Sequence, residues 1–336
     1  MTTAECLKQL PNCKLHSTAD QSTDEDAWLA ARTRGIGGSD VGAICGVSPF
    51  SSARQVYMSK TGQYAEALIP NEAARERMHF GHVLEPVVAD EYMRRVGTKE
   101  GFELVSLNAT VYHKDYKWAL ANIDRLIVKD GKIHGILECK TTGEYNDEEW
   151  ESGEILLSYM YQLNWYLWIL DLKFGAFACL VGGNKFYEYT IYRNDELLQD
   201  VIIPAAESFW NNNVRALVEP ELQSTDTDFA NSEFSDVVKN SEVVFDDDVT
   251  NDLANTVFEC KLKIKELDAT MEEAKNRLKD RLRNTEIGYT KDFVIKWSPR
   301  SQSRVNYTKL KTEFPEVYNA VLKKSHHRAM YVKGVK

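Results

Sequence analysis

The run Ala121-Asn122-Ile123-Asp124-Arg125-Leu126-Ile127-Val128-Lys129-Asp130-Gly131-Lys132-Ile133-His134-Gly135-Ile136-Leu137-Glu138-Cys139-Lys140-Thr141 reads as a β-hairpin. Two apolar runs flank an Asp-Gly pair, which supplies the left-handed backbone positions that a tight hairpin turn requires. With the turn centred between Asp130 and Gly131, Glu138 falls opposite Ile123, one residue from Asp124. A three-residue loop would set Asp124 and Glu138 directly opposite. In either register the two carboxylates meet at the open end of the hairpin, and Glu138 and Lys140 share one face of their strand. Two acids and a lysine in that arrangement suit metal-assisted phosphodiester hydrolysis. The carboxylates offer hard oxygen ligands to Mg²⁺, the ion lowers the pKa of a bound water, and the lysine orients that water or stabilises developing charge. A solvent-facing cross-strand cluster has the same spacing and no chemistry. The apolar run over 133–137 argues for the first reading, because buried strands rarely end in paired acids.

Around this hairpin the pattern is mixed. Met78, Val83, Leu84, Val87, Val88, Tyr92 and Val96 recur near helical spacing over residues 71–96, with Pro86 able to kink that helix or begin a second one. Residues 118–128 read as one β-like run, residues 158–170 as a helix, and residues 174–180 and 186–192 as strands around Gly182-Gly183. These elements make an α/β body over residues 1–218. Residues 219–250, with ten acids and one lysine, read as an acidic linker or loop. A basic extension follows over 251–336. In it Leu253, Val257, Cys260, Ile264, Leu267, Met271, Ala274 and Leu278 step by four and three, the pattern of a heptad helix. That helix either packs inside the chain, against a helix expected near 308–324, or pairs with another chain. Residues 293–297 read as a strand.

The chain has 336 residues, 43% hydrophobic and 27% charged, enough to bury a substantial core without staples. Its six cysteines include no CxxC pair, which excludes a disulfide scaffold or zinc ribbon and suits a reducing cytoplasm. Residues 1–17 hold no apolar core for a signal peptide, and Asp171 and Lys173 interrupt the most hydrophobic stretch, so no membrane partner is expected. The formal charge is −10, unevenly spread. Residues 251–336 carry 19 Lys+Arg against 11 Asp+Glu, while the remaining 250 residues carry 22 against 40. A basic segment on an acidic body is a candidate for phosphate contact.

The hairpin is one of five motifs in a fixed order: Trp28-x3-Arg32-x2-Gly35-x3-Ser39-Asp40, Gly81-x3-Glu85-Pro86, Asp124, Glu138-Cys139-Lys140-Thr141, and Gln162-x3-Tyr166. Over roughly residues 28–200 the sequence thereby resembles the YqaJ-like, λ-exonuclease type of phage recombination nucleases in the PD-(D/E)XK superfamily. The resemblance implies a restriction-endonuclease-like α/β (α+β) core, a mixed central sheet flanked by helices, with a C-terminal helical appendage. It implies metal ligation by Asp124, Glu138 and the Cys139 backbone carbonyl, with Glu85 serving a second ion. Lys140 would be the catalytic lysine, Gln162 and Tyr166 would position the site, and Arg32 and Ser39 would bind a terminal 5′-phosphate. The glycines from Gly35 to Gly38 would let backbone approach that phosphate.

The implied activity is a Mg²⁺-dependent exonuclease, with two ions and Mn²⁺ able to substitute. It would digest one strand of linear double-stranded DNA from the 5′ end and leave 3′ overhangs for a single-strand annealing protein. A homotrimer around DNA and a phage or prophage origin, acting in the bacterial cytoplasm, are implied as well. An endonuclease of the same fold and a non-catalytic DNA-binding or assembly protein are the alternatives. The intact Asp124/Glu138/Lys140 set argues against the last. Other motifs carry less. Val41 stands where a nucleophile elbow needs glycine, and Gly35-x-Gly37 lacks the third glycine of a dinucleotide loop. His79 and His82 lack a third ligand of zinc-site spacing, His326-His327 reads as solvated, and Cys139 reads as a packing residue.

Overall fold

The computed structural model describes residues 1–19, 24–63, 72–323 and 328–334, and the chain divides into two compact units, Met1–Phe234 and Ser235–Lys336. The first unit contains strands β1 (Cys13–Ser17), β2 (Glu103–Val105), β3 (Thr110–His113), β4 (Leu120–Asn122), β5 (Arg125–Lys129), β6 (Lys132–Thr142), β7 (Phe174–Val181) and β8 (Lys185–Tyr192). Five of them form the central sheet in the order β2-β5-β6-β7-β8, and β1-β3-β4 form a smaller sheet. All neighbours in the central sheet run antiparallel except β6 and β7, which are parallel. A parallel pair needs a long crossover, and residues 143–173 supply it.

The hairpin forms with the tight turn, Asp130 at φ 52° and Gly131 at φ 70°. Lys129 pairs with Lys132 and Val128 with Ile133, but the register then shifts and Ile127 faces Gly135. His134 is therefore an extra residue, a β-bulge. Beyond it Leu126 faces Ile136 and Arg125 faces Leu137, a register that sets Asp124 opposite Glu138. The two-residue turn and the direct opposition of the acids, alternatives when read from sequence, coexist because the bulge supplies the missing residue. The β-like run over 118–128 is in fact two strands in different sheets, β4 and β5, with Ile123 and Asp124 in the break.

Helices cover both faces of the sheet. α1 (Glu25–Arg32) packs against β1, and on one face of the central sheet lie α2 (Gly38–Ile44), α3 (Ala53–Thr61) and α5 (Leu157–Leu170), around a core that includes Ile136, Leu163, Trp165 and Phe177. On the other, α4 (Glu72–Tyr92) sets Val88, Ala89 and Tyr92 against Ile127, Leu137, Ala176 and Ala178. The alternation Ile136/Leu137 and Ala176/Phe177 is the period-two signature of a strand buried on both faces. α4 runs through Pro86 and continues into a π-helical turn, Met93–Gly97.

Residues 219–234, within the stretch expected as an acidic linker, pack onto the first unit. Buried Asp226 accepts hydrogen bonds from the Ser52 hydroxyl and the Gln223 amide, Phe229 is 3% exposed, and Arg54 pairs with Glu219. Two of the acids that composition marked as solvating, Glu219 and Asp226, thus have partners there. The second unit holds α6 (Asp248–Leu282), capped where the Asp247 side chain accepts from the Thr250 amide. The hairpin β9 (Ile287–Tyr289) and β10 (Val294–Lys296) follows. On α6 the heptad positions Leu253, Ile264, Leu267 and Met271 are exposed. The helix expected near 308–324 is two short helices, Tyr307–Glu313 and Pro315–Val321. His326-His327 lies outside the described residues.

Candidate active site

The parity of β6 sends Glu138 and Lys140 toward α5 and sends Leu137 and Cys139 toward α4. Glu138 is only 1% exposed. Its Oε2 takes Lys140 Nζ at 3.2 Å and Gln162 Nε2 at 3.0 Å, and Lys140 Nζ also donates to Gln162 Oε1 at 3.1 Å. Gln162 thus closes a three-membered network, and it extends that network to the Tyr166 hydroxyl at 3.3 Å, one helical turn on. Asp124, held in the break between β4 and β5, accepts the Cys139 amide at 2.8 Å. A strand residue points its N–H and C=O to the same edge, so the Cys139 carbonyl is turned toward Asp124 as well.

Charge is crowded here. Burial, more than any neighbour, pushes the Asp124 carboxyl up to about 6; Glu85 adds to the rise and Lys140 opposes it. Burial and then the Asp124 charge push Glu138 up to about 8. For Lys140 burial works against the ammonium, but the Glu138 and Asp124 carboxylates outweigh it and hold its pKa above the usual lysine value. Burial raises the Cys139 thiol as well, away from the thiolate form.

Of the expected site residues, Asp124, Glu138, Lys140, Gln162 and Tyr166 come together. Glu85 stands beside them on α4, but its carboxylate is engaged by Arg125 at 2.5 Å. Among the described residues no three His, Cys, Asp or Glu side chains, His79 and His82 included, form a ready cage for a metal. The residues nevertheless fit a hard divalent cation. Glu138 Oε1 is buried and has no hydrogen-bond partner, and two carboxylates with raised pKa values face each other beside a carbonyl. An added cation would satisfy the orphan oxygen and relieve the repulsion.

Arg32 and Ser39 form a second cluster. Arg32 Nη2 donates to Ser39 Oγ at 2.8 Å, and its guanidinium lies over the Trp28 ring at 4.6 Å. The two clusters abut through Gly38, where a Cβ would fall 2.4 Å from the Tyr166 ring. At Gly35 a Cβ would fall 2.4 Å from the Trp118 carbonyl. Packing therefore requires these two glycines, a reason distinct from the phosphate approach expected of them.

Sequence reasoning missed Lys60. From α3 it reaches Asp40 Oδ2 at 2.6 Å and the Arg32 carbonyl at 2.9 Å, with its side chain 3% exposed. Asp40 also accepts the Gly37 amide at 2.8 Å. Burial alone would raise the Asp40 carboxyl, but Lys60 and Arg32 overcome it and hold it below the ordinary carboxylate value. One lysine thus ties the end of α1 to the start of α2, where Arg32 and Ser39 sit. No local pattern in the sequence marks Lys60, whose partners come from other elements of the fold. Lys60→Met should cost about 3 kcal/mol in urea unfolding, because it strands a buried carboxylate, and adding Asp40→Asn should recover part of the loss. A single variant within about 0.5 kcal/mol of wild type would remove Lys60 from this role.

Residues 27–173 match the model of the YqaJ-like viral recombinase domain. The chain is 34% identical to the uncharacterized protein YqaJ of Bacillus subtilis (strain 168) over 328 residues, 96% of this chain and 97% of that protein. Among solved structures it is similar to an alkaline exonuclease (LHK-Exo) from Laribacter hongkongensis, with 17% identity and a TM-score of 0.45, covering 58% of this chain and 94% of the other. The same enzyme in complex with dAMP matches at 18% identity with the same TM-score and coverage. Among the described residues no helix is long and apolar enough to cross a membrane.

Proposed function

Because this chain belongs to the YqaJ-like viral recombinase family, we propose that it is a divalent-metal-dependent exonuclease that digests one strand of linear duplex DNA from the 5′ end. The observation that carries this reading is the buried Glu138–Lys140–Gln162 network opposite Asp124, with one Glu138 oxygen left without a partner. Asp124, Glu138 and the Cys139 carbonyl would hold the ion, Mg²⁺ with Mn²⁺ as substitute, and Glu85 would serve a second ion after release from Arg125. When bound, such an ion lowers the pKa of water and neutralises phosphate charge. The chain's own residues do the rest. Lys140, kept charged by its carboxylate neighbours, orients the attacking water and stabilises charge that develops on the phosphate. Gln162 fixes Lys140 and Glu138 relative to each other, and Tyr166 fixes Gln162.

Arg32 and Ser39 supply a charged and a neutral donor for a terminal 5′-phosphate, which sets the polarity of digestion. The 3′ overhangs would pass to a single-strand annealing protein, and a ring of three subunits around DNA in the bacterial cytoplasm completes the reading. The deciding assay compares linear 5′-phosphorylated duplex with covalently closed circles of the same sequence, with Mg²⁺ and with chelator. Nucleotides should be released from the linear form alone and only with the metal. Equal cutting of the circle would mean an endonuclease, and metal-independent release would sink the metal site. In the same assay a 5′-hydroxyl end should be digested more slowly than a 5′-phosphate end, and Arg32→Ala should erase most of the difference. Equal wild-type rates on both ends would remove Arg32 and Ser39 from the phosphate site.

A further inference from the structure

We infer that Phe50, backed by Tyr159, is a stacking platform for a nucleobase of the DNA strand held at the Glu138–Lys140 site, an assignment that rests on the nuclease reading above. The Tyr159 ring lies 4.8 Å from Lys140 Nζ, and the Phe50 ring stacks on Tyr159 with centroids 6.3 Å apart and planes 23° from parallel. Lys140, Tyr159 and Phe50 therefore form a line from the reactive lysine to the surface. At its end Phe50 is 66% exposed, although it is a large apolar ring with a buried core nearby.

The loop that presents Phe50 is fixed. The Val47 and Ser48 amides both donate to the Gly42 carbonyl at 2.9 and 3.0 Å, and the Phe50 amide donates to the Ser48 hydroxyl at 3.1 Å. Ser48 is buried, and Ser52 caps the helix that follows by accepting the Gln55 amide. An aromatic held outward on a rigid loop loses little conformational freedom when a flat ligand settles on it. Every nucleobase has such a face, so the contact tolerates any sequence, as an exonuclease requires. Two aromatic contacts separate Phe50 from the lysine that faces the scissile phosphate, so the base it meets belongs to a nucleotide near the one being released.

The test uses the full-length chain and linear 5′-phosphorylated duplexes in which the digested strand carries either normal bases or an abasic analogue at one of its first three positions. Phe50→Ala should raise KM about tenfold, the scale of one lost base–aromatic stack, with kcat on saturating DNA within about twofold, the pattern of lost uniform binding. Phe50→Trp should restore KM and Phe50→Leu should not. At one position the abasic analogue should cost the wild type a similar factor and cost Phe50→Ala nothing more. The platform is overturned if Phe50→Ala keeps the wild-type KM, or if its penalty and the abasic penalty multiply at all three positions. A wild type that digests no DNA overturns the nuclease reading and the platform with it; an active wild type with an indifferent Phe50 overturns the platform alone.

Discussion

Glu138→Gln should leave linear duplex DNA undigested, with a fall in kcat on the order of 10³-fold or more, while duplex binding persists. Glutamine keeps the shape that Gln162 and Lys140 contact, at 3.0 and 3.2 Å from Oε2. It removes the charge that the unpartnered Oε1 would give to a cation. Asp124→Asn should behave alike, because it halves the carboxylate pair. Lys140→Met should cost on the order of 10²-fold, as loss of one preorganised charge does. The three side chains work as one unit, so the double variant Glu138→Gln/Lys140→Met should be little worse than its worse parent. Single-turnover digestion with Mg²⁺, alongside filter binding of the same DNA, reads both quantities. Digestion by Glu138→Gln at the wild-type rate would show that the chemistry lies elsewhere.

The same carboxylates should make the metal-free protein lose stability as pH rises. Folding pushes Asp124 up to about 6 and Glu138 up to about 8, against 3.8 and 4.5 as starting values. Between the unfolded and folded values the native state holds protons that the unfolded chain has released, so unfolding free energy falls with rising pH across roughly pH 4.5 to 8. The depressed carboxylate of Asp40 acts only at lower pH, where its stabilisation is lost as the pH falls. Buried His113 acts in the opposite sense: burial lowers its pKa and adds stability as pH rises toward 6.5. The Glu138 contribution is therefore read as the difference between wild type and Glu138→Gln. In chelator, melting temperatures measured from pH 5 to 8.5 should fall more steeply for wild type than for the variant. Mg²⁺ should stabilise wild type increasingly as pH rises, since it binds the deprotonated pair. Parallel curves for the two proteins, with no metal effect, would contradict the paired-acid site.

Legibility in the sequence followed from how local each feature is. The Asp130-Gly131 turn, the E-x-K spacing and the Gln162-x3-Tyr166 step are set by strand and helix periods over a few residues, and all three appear in the structure. The break at Ile123-Asp124 was not legible, because β-propensity continues across a point where the chain leaves one sheet for another. Lys60 was missed since nothing local marks a lysine whose partners lie 20 and 28 positions away. The family resemblance tied Gly35 and Gly38 to phosphate, but Trp118 and Tyr166, brought in from elsewhere in the chain, explain their size. Residues 219–234 failed in the other direction, where composition spoke for solvent and the long-range partners Ser52 and Arg54 spoke for packing.

The unpaired His134 also governs how the hairpin can change length. Upstream of it the pairing sum is that of a plain two-residue turn; downstream, the arm that bears the acids is offset by one position. Deleting His134 would remove the bulge and leave a uniform two-residue hairpin in which Gly135, Ile136 and Leu137 keep their partners and Glu138 still faces Asp124. Among related chains, a one-residue gap between Gly131 and Glu138 should therefore keep the same facing, because the bulge gives up its surplus residue, whereas a one-residue insertion needs a second bulge or exchanges the two surfaces of the strand. The bulge thus works as a slack link, able to take up one lost codon without turning the chemistry inside out.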